Sequence, residues 1–175
     1  MLNNETVFRD AYKLLCIFLA DRAIFEMTRP NQQVHGGSRR SEEPLYRLRH
    51  QLVDDEINHT LINLAIYNRT HMELMKEQIK REYPATVCGK LVEGTQEETT
   101  KDLLFREACN KIIHAKTFRA TCKRDGIISE FSYESSQSEP MHHEFWFFGD
   151  HKKKWKAKLN ILDFLRATTE NFDLF

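Results

Sequence analysis

The order of apolar and polar positions divides the chain into a helical first part and a strand-rich second part. Over residues 4–29, and again over residues 44–69, apolar side chains recur every three or four positions. This period predicts two amphipathic helices. Helix could resume or continue over residues 71–81, where the apolar positions are sparser. Residues 84–100 contain two glycines and many polar side chains, and they are interpreted as a connection.

A third helix is predicted from an N-terminal cap at Thr99 or Thr100 to about Ala115, and it contains the segment FREACNKIIHA, residues 105–115. After this helix the apolar period changes to two, which is the spacing of a strand. Alternating or aromatic-rich segments of this kind occur at residues 117–123, 128–133, 144–148 and 154–161. A helical pattern returns over residues 162–172.

Helices followed by a group of strands indicate an α+β fold. We therefore expect a mainly α-helical bundle in residues 1–115 and a small C-terminal antiparallel β meander in residues 116–161. A short final helix is expected in residues 162–175. A chain of 175 residues is long enough to bury a core and is expected to form a single domain, 1–175.

The composition indicates the cellular compartment of the protein more clearly than it indicates the ligand. The formal net charge is +0, so any affinity for nucleic acid or membrane must come from a local patch. Four scattered cysteines without a CxxC pair indicate a reducing compartment. The first residues lack a signal-peptide pattern, and the most apolar stretch, residues 14–20, is too short to cross a bilayer. We expect a cytoplasmic protein with no membrane partner.

The helix predicted at residues 105–115 carries the densest candidate chemistry. Arg106, Asn110 and His114 are spaced i, i+4 and i+8, so they fall along one stripe of the helix. The apolar side of the same helix is formed by Leu104, Ala108, Cys109, Ile112 and Ile113. A basic, an amide and an imidazole side chain beside a buried face make a candidate catalytic site.

The segment CNKIIH, residues 109–114, resembles the motif of HEPN domains, small helical bundles found in many prokaryotic ribonuclease toxins and defence proteins. That motif is an arginine, often followed by Asn, Asp or His, and then a histidine after four to six residues. Asn110 and His114 match it, Cys109 stands at the arginine position, and seven residues separate Arg106 from His114. The resemblance covers this one helix. It implies a dimer that cleaves RNA without a metal, or a degenerate member that keeps the fold.

The chemistry assigns each residue of the stripe a role. A neutral His114 would act as general base or acid on a ribose 2′-hydroxyl, with Asn110 orienting it and Arg106 stabilising charge on the phosphate. In the alternative interpretation, Asn110 and His114 form hydrogen bonds to a neighbouring loop or strand and hold it in place.

A basic segment near the C-terminus is the second candidate site. Residues 151–158 read HKKKWKAK, and we predict a nucleic-acid-binding surface there. Its predicted residues are Lys152, Lys153, Lys154, Trp155 and Lys156. Lysines neutralise phosphates and a tryptophan stacks on bases. The alternative is a solvated strand whose lysines protect a sheet edge from aggregation.

Two further clusters are weaker candidates. In the acidic segment at residues 54–59, Glu56 and His59 have the i, i+3 spacing of a bundle metal site, but only one copy is present. These acids could instead pair with Arg106 or Lys111. His142, His143 and His151 lack a cysteine partner at zinc-site spacing. We predict no metal site and no cofactor, since nucleotide-binding and zinc-protease motifs are also missing.

Two hypotheses for function follow from these features. In the first, the protein acts on RNA, by binding it or by metal-independent cleavage in a dimer, in a defence or toxin–antitoxin setting. In the second, it is a non-catalytic protein-interaction module or a subunit of a larger assembly, with the apolar first helix and the aromatic hairpin as interfaces.

Overall fold

The structure is a computed structural model that describes residues 4–28, 43–79, 85–94, 99–131, 139–150 and 153–173. Its helices are α1 (Asn4–Met27), α2 (Pro44–Ile79), α3 (Phe105–Ile113) and α4 (Ile161–Asp173). Its strands are β1 (Val87–Glu93), β2 (Thr99–Leu104), β3 (Thr117–Arg124), β4 (Ile127–Glu130), β5 (Met141–Gly149) and β6 (Trp155–Asn160).

The strands form one six-stranded sheet in the order β2-β1-β6-β5-β3-β4, with every neighbouring pair antiparallel. One face of the sheet belongs to the core. Its buried side chains, which pair with one another across the strands, are Leu91, Ala120, Phe145, Phe147, Ala157 and Leu159. Helices α1, α3 and α4 contact the strands, and α2 packs against α1, α3 and α4.

The expectation of a mainly α-helical core in residues 1–115, followed by a small C-terminal meander, is wrong. The sheet is large, and two of its strands, β1 and β2, precede α3. The α+β class holds, but the chain enters the sheet directly after the first two helices, before α3. Strand β6 then pairs with β1, which joins the two strand-forming parts of the sequence into one sheet.

Residues 84–100 were misinterpreted because their strand signals are weak. Gly89 lies inside β1, where an added Cβ would collide with the carbonyl oxygen of Lys158 on β6. A glycine at this position permits the close approach of two strands and is not a turn signal. Strand β2 lies at the edge of the sheet and begins Thr-Thr-Lys-Asp, so apolar alternation is lacking. Thr99 and Thr100 therefore belong to β2, and α3 begins only at Phe105.

Several predicted elements are confirmed. Helix α1, the β5 and β6 strands and the final helix lie within a few residues of their predicted bounds. Helix α2 is continuous to Ile79, which resolves the two options for residues 71–81. Asp125 and Gly126 have φ values of 49° and 83° at the β3–β4 turn, as expected for an Asp-Gly hairpin. Residue 29, where the first predicted helix ends, lies outside the described residues.

A buried ion pair joins α1 and α2 to the sheet. Arg49 Nε and Nη2 donate to the two carboxylate oxygens of Asp21, and the Nη2 contact measures 2.9 Å. The Met141 backbone N–H at the start of β5 donates to the same carboxylate over 2.7 Å. Phe131 lies 5.3 Å from the guanidinium. Because both charged groups are satisfied, the pair fixes the position of α1 against β5, and removing one partner would leave a buried charge.

Candidate nucleic-acid interface

Helix α3 follows β2 directly, and its first residue is anchored to the sheet. The Phe105 backbone N–H donates to the carbonyl of Thr86 over 2.8 Å, and the Phe105 ring packs 5.5 Å from that of Phe164 on α4. The buried positions of α3 are Phe105, Ala108, Cys109 and Ile112. Burial of this face turns the predicted stripe away from the core, because the stripe lies on the opposite side of the helix.

The structure brings together two of the three predicted stripe residues. Asn110 and His114 line a shallow cleft of about 320 Å³, and Arg106 is exposed and outside its lining. We call this the α3 cleft; its other lining residues are Arg69, Glu107, Lys111 and Trp155. Arg69 on α2 brings a guanidinium to the cleft, and its Nε donates to Glu73 over 3.0 Å.

Asn110 carries an unsatisfied polar atom in this cleft. Its side-chain oxygen is buried and has no hydrogen-bond partner among the residues that the structure describes. Burying an acceptor without a donor costs about 1–3 kcal/mol, so such atoms in native proteins usually have a reason. The bracing interpretation of Asn110, in which its side chain binds a neighbouring loop or strand, is not supported within the described part of the chain.

Cys109 stands at the arginine position of the HEPN-like motif, and it cannot replace an arginine chemically. The residue is fully buried. Burial raises the pKa of its thiol, so the side chain stays neutral. The α3 cleft therefore has no cation at the position where the motif would supply one.

Trp155 lies on the helix side of the sheet, at the base of the α3 cleft. Its exposed fraction is 6%, and the Lys111 Nζ atom lies 4.5 Å from the centroid of its ring. The same Lys111 pairs with Glu93 over 3.5 Å. Gly149 on β5 packs so closely that an added Cβ would collide with the Trp155 ring. Trp155 is therefore a packing residue on the helix side, and it also contributes to the lining of a depression among the neighbouring lysines.

Those lysines belong to the opposite side of the sheet. We define the outer face as Lys90, Val92, Trp146, Phe148, Lys156 and Lys158, which pair directly across β1, β6 and β5. The Lys156 Nζ atom lies 3.5 Å from the centroid of Trp146 and 5.5 Å from that of Phe148. Lys158 lies 5.5 Å from Trp146. Cations over aromatic rings are therefore a repeated feature of this face.

A depression of about 420 Å³ runs over part of the outer face. Four lysines line it, Lys90, Lys154, Lys156 and Lys158, and no acidic residue of the described chain does so. At its margins Lys90 pairs with Asp102 over 2.6 Å. The depression is thus locally basic in a chain of zero net charge, as a site for phosphate groups would be.

The predicted basic residues are divided by the structure. Lys154 and Lys156 line the depression, Lys153 is exposed beside it, and Lys152 and His151 lie outside the described residues. Trp146 and Phe148 were not among the predicted binding residues, although the aromatic residues 145–148 adjoin the basic segment in the sequence. The missed signal was alternation within EFWFF: Phe145 and Phe147 are buried, so Trp146 and Phe148 must lie on the other face.

The acidic segment pairs differently from the prediction. Lys13 of α1 forms a salt bridge with Glu56, and this contact lowers the pKa of Glu56. Pairing of these acids with Arg106 or Lys111 is therefore wrong for Glu56, and Lys111 pairs with Glu93 instead. The side chain of Asp54 lies outside the described residues. Glu56 belongs to the α1–α2 packing and not to the α3 cleft.

The two adjacent histidines do not alternate across β5 as ideal strand residues would. The rings of His142 and His143 stack with centroids 4.0 Å apart, at the irregularity in the β3–β5 register. Burial and the neighbouring His143 lower the pKa of His142. No group of three or more His, Cys, Asp or Glu side chains suited to a metal ion occurs in the described part of the chain.

The fold and site together define an α+β protein with an antiparallel sheet whose outer face is basic and aromatic. The chain matches none of the protein-family models, curated proteins or solved structures with which it was compared. None of the described helices is both long enough and apolar enough to cross a membrane. The resemblance to HEPN domains therefore remains a hypothesis based on Asn110 and His114.

Proposed function

We propose that this protein binds single-stranded RNA across the outer face of its sheet. The observation that supports this most directly is the position of Lys156 over Trp146 and beside Phe148. Aromatic rings that carry a lysine on their accessible side can exchange that cation for a stacked base. The released lysine then reaches a phosphate, so that stacking and charge neutralisation occur together.

The spacing of the two rings fits consecutive bases of an unpaired strand. Trp146 and Phe148 are two positions apart on one strand and one face, which separates them by roughly 6–7 Å. Bases in a duplex are already stacked on each other and cannot use such rings, whereas bases of a single strand can be splayed onto them. Lys90, Lys154 and Lys158 line the depression together with Phe148, and they would supply charge for the phosphates of the strand.

Binding is tested with fluorescently labelled RNA and fluorescence anisotropy. Trp146→Ala should weaken binding of a single-stranded oligonucleotide by about tenfold or more, because stacking contributes about 1–3 kcal/mol per base. Lys156→Gln should lower the slope of log K against log salt by about 0.7, the release from one phosphate of a single strand. Lys76→Gln, an exposed lysine on α2, is the matched control.

The outcomes separate clearly. Failure of the wild-type protein to bind RNA at low salt would refute the proposal. Equal affinity for duplex and single-stranded RNA, with no effect of Trp146→Ala, would refute the stacking part and leave only an electrostatic surface.

RNA cleavage is a second candidate activity, favoured by the α3 cleft. Asn110 and His114 share this cleft with Arg69, and Trp155 contributes to both the cleft and the outer depression. A strand leaving the outer face at this end of β6 would reach His114, which could remove the 2′-hydroxyl proton while Arg69 stabilises the phosphate. Arg106, the arginine predicted for that role, does not line the cleft.

Cleavage is tested by incubating single-stranded and structured RNA with the protein in EDTA. Cleavage should be lost in His114→Ala and retained in His59→Ala, an exposed histidine on α2. If the wild-type protein leaves RNA intact at high protein concentration, the protein is a binding protein only. An Arg106→Ala variant with full activity would exclude Arg106 from the phosphate role.

A further inference from the structure

Helix α1 has two apolar faces: the described residues bury the first, and they cover the second only in part, at Phe8 and Leu15. The first face packs into the core through Val7, Ala11, Leu14, Phe18, Asp21 and Phe25, at alternating spacings of three and four. The second face has the same spacing and consists of Glu5, Phe8, Tyr12, Leu15, Leu19 and Arg22, which we call the outer seam. Alternating three- and four-residue spacing is the pattern with which one helix packs along another in a coiled coil.

The outer seam exposes large apolar side chains to water. The exposed fraction is 69% for Tyr12 and 65% for Leu19. Beside them, Phe8, Leu15 and two leucines of α4, Leu162 and Leu165, line a groove of about 560 Å³. Contiguous apolar surface of this kind on a protein marks a site of interaction.

The outer seam carries a negatively charged residue at one end and a positively charged residue at the other. Glu5 and Arg22 are exposed and lie at equal distances along α1 from the midpoint between Tyr12 and Leu15. A face with opposite charges placed symmetrically about its centre is complementary to its own antiparallel copy. A parallel copy would bring like charges together.

We propose that the outer seam binds a second copy of this chain, with the two α1 helices antiparallel. A two-fold axis between Tyr12 and Leu15 brings Tyr12 against the partner's Leu15 and Phe8 against the partner's Leu19. Glu5 then meets the partner's Arg22 at both ends of the interface. Each layer joins one position of the seven-residue repeat to the complementary one, which is how antiparallel helices pack. This interface is independent of the proposed RNA binding.

The oligomeric state is measured by sedimentation velocity over a range of protein concentrations. The wild-type chain should sediment as a species of twice its 20.8 kDa mass. Leu19→Lys should raise the dimer dissociation constant by about tenfold or more, because it places a charge in the apolar layer formed with the partner's Phe8. Leu48→Lys, on α2 with an exposed fraction of 53%, is the matched control and should remain dimeric.

A charge exchange tests the register. Glu5→Arg and Arg22→Glu should each weaken the dimer by about threefold to tenfold, because each creates two like-charge contacts. An equimolar mixture of the two variants should recover wild-type association, since both contacts in the mixed dimer again join opposite charges. Circular dichroism checks that every variant keeps the wild-type helix content.

Three results would overturn the proposal. The first is a wild-type chain that stays at 20.8 kDa at high concentration. The second is a dimer that Leu19→Lys leaves intact, which would use another surface. The third is a mixture of Glu5→Arg and Arg22→Glu that associates no better than either variant alone, which would exclude the antiparallel register.

Discussion

The two tryptophans of the sheet form the same kind of contact on opposite faces. Trp155 packs under α3 with Lys111 4.5 Å from its ring centroid, and Trp146 lies on the outer face with Lys156 at 3.5 Å. Trp155 is buried against Gly149, whereas Trp146 keeps part of its surface accessible. Identical chemistry therefore has different consequences: one pair is part of the packing, and the other is available to a ligand.

The largest expected effect is the loss of stability when Trp155 is removed. Trp155→Ala should lower the free energy of unfolding by about 3–5 kcal/mol, because a buried ring is lost and a cavity remains. Trp146→Ala should cost about 1 kcal/mol, because the lysine contacts and the hydrogen bond from Trp146 Nε1 to Glu144 that it removes are only partly buried. Urea denaturation measures both values.

For the same two variants, the order of the effects on RNA affinity should be the reverse of the order of the effects on stability. Trp155→Ala should bind RNA nearly as well as the wild-type protein wherever it remains folded, whereas Trp146→Ala should not. If both variants lose similar amounts of stability and of RNA affinity, the assignment of Trp155 to packing and of Trp146 to ligand binding is wrong.

Gly149 tests the packing side of the comparison. Gly149→Ala introduces a methyl group against the Trp155 ring and should cost about 1–3 kcal/mol by overpacking. Urea denaturation monitored by circular dichroism measures the loss. Gly126→Ala is the control for added methyl volume without a clash, since nothing lies within 4 Å of its Cβ position. Because φ is 83° at Gly126, the control carries a small backbone cost of its own, and only a larger loss at Gly149 supports the packing argument.

Asn110 should respond in the opposite direction. Asn110→Ala removes the unsatisfied side-chain oxygen from the α3 cleft and places a better helix former in α3. The free energy of unfolding should therefore rise by about 0.5–1.5 kcal/mol. Thermal or urea unfolding detects the gain. A clear destabilisation would mean that the amide is a structural brace. A gain in stability together with a loss of RNA binding or cleavage would identify it as a functional group.

The smallest expected effect is a pH dependence contributed by His71 on the helix side of the molecule. Burial lowers the pKa of His71 from its usual 6.5, and its ring packs 4.3 Å from Phe172. The unfolded chain therefore binds the proton more readily than the folded protein. The contribution to stability is complete above about pH 6.5 and is lost as the pH falls through the lower folded-state pKa.

His71→Gln should reduce the slope of unfolding free energy against pH in this window. The exposed His59→Gln variant is the control and should retain the wild-type slope. If His71→Gln also leaves the slope unchanged, the pH dependence arises elsewhere, with His142 as the next group to test because its pKa is lowered too.

Some strands of the sheet could be predicted from the sequence, whereas neighbouring strands could not. Strands β5 and β6 were recognisable because aromatic enrichment and strict alternation are local properties of the sequence. Strands β1 and β2 were not, because Gly89 is required by the approach of β6 and the polar start of β2 is permitted by its edge position. Both reasons depend on residues distant in sequence.

The same division applies to the candidate site. The sequence suffices to show that Asn110 and His114 share a helical stripe and that lysines alternate with apolar residues around Trp155. It does not show that Arg69, from another helix, lines the cleft with His114 while Arg106 does not. The partner that a side chain meets across elements is set by packing, for which local spacing carries no information.

The sequence on its own determined the periods of the helices and the Asp-Gly turn. It also determined that the lysines and the apolar residues of β6 lie on opposite faces of that strand. These features depend only on residues that are neighbours in the chain. The tertiary structure alone decided that β1 joins β6 into one large sheet and that Trp155 is inside while Trp146 is outside. Strand pairing and the choice of buried face are long-range outcomes, since burying one face of the sheet requires helices from distant segments.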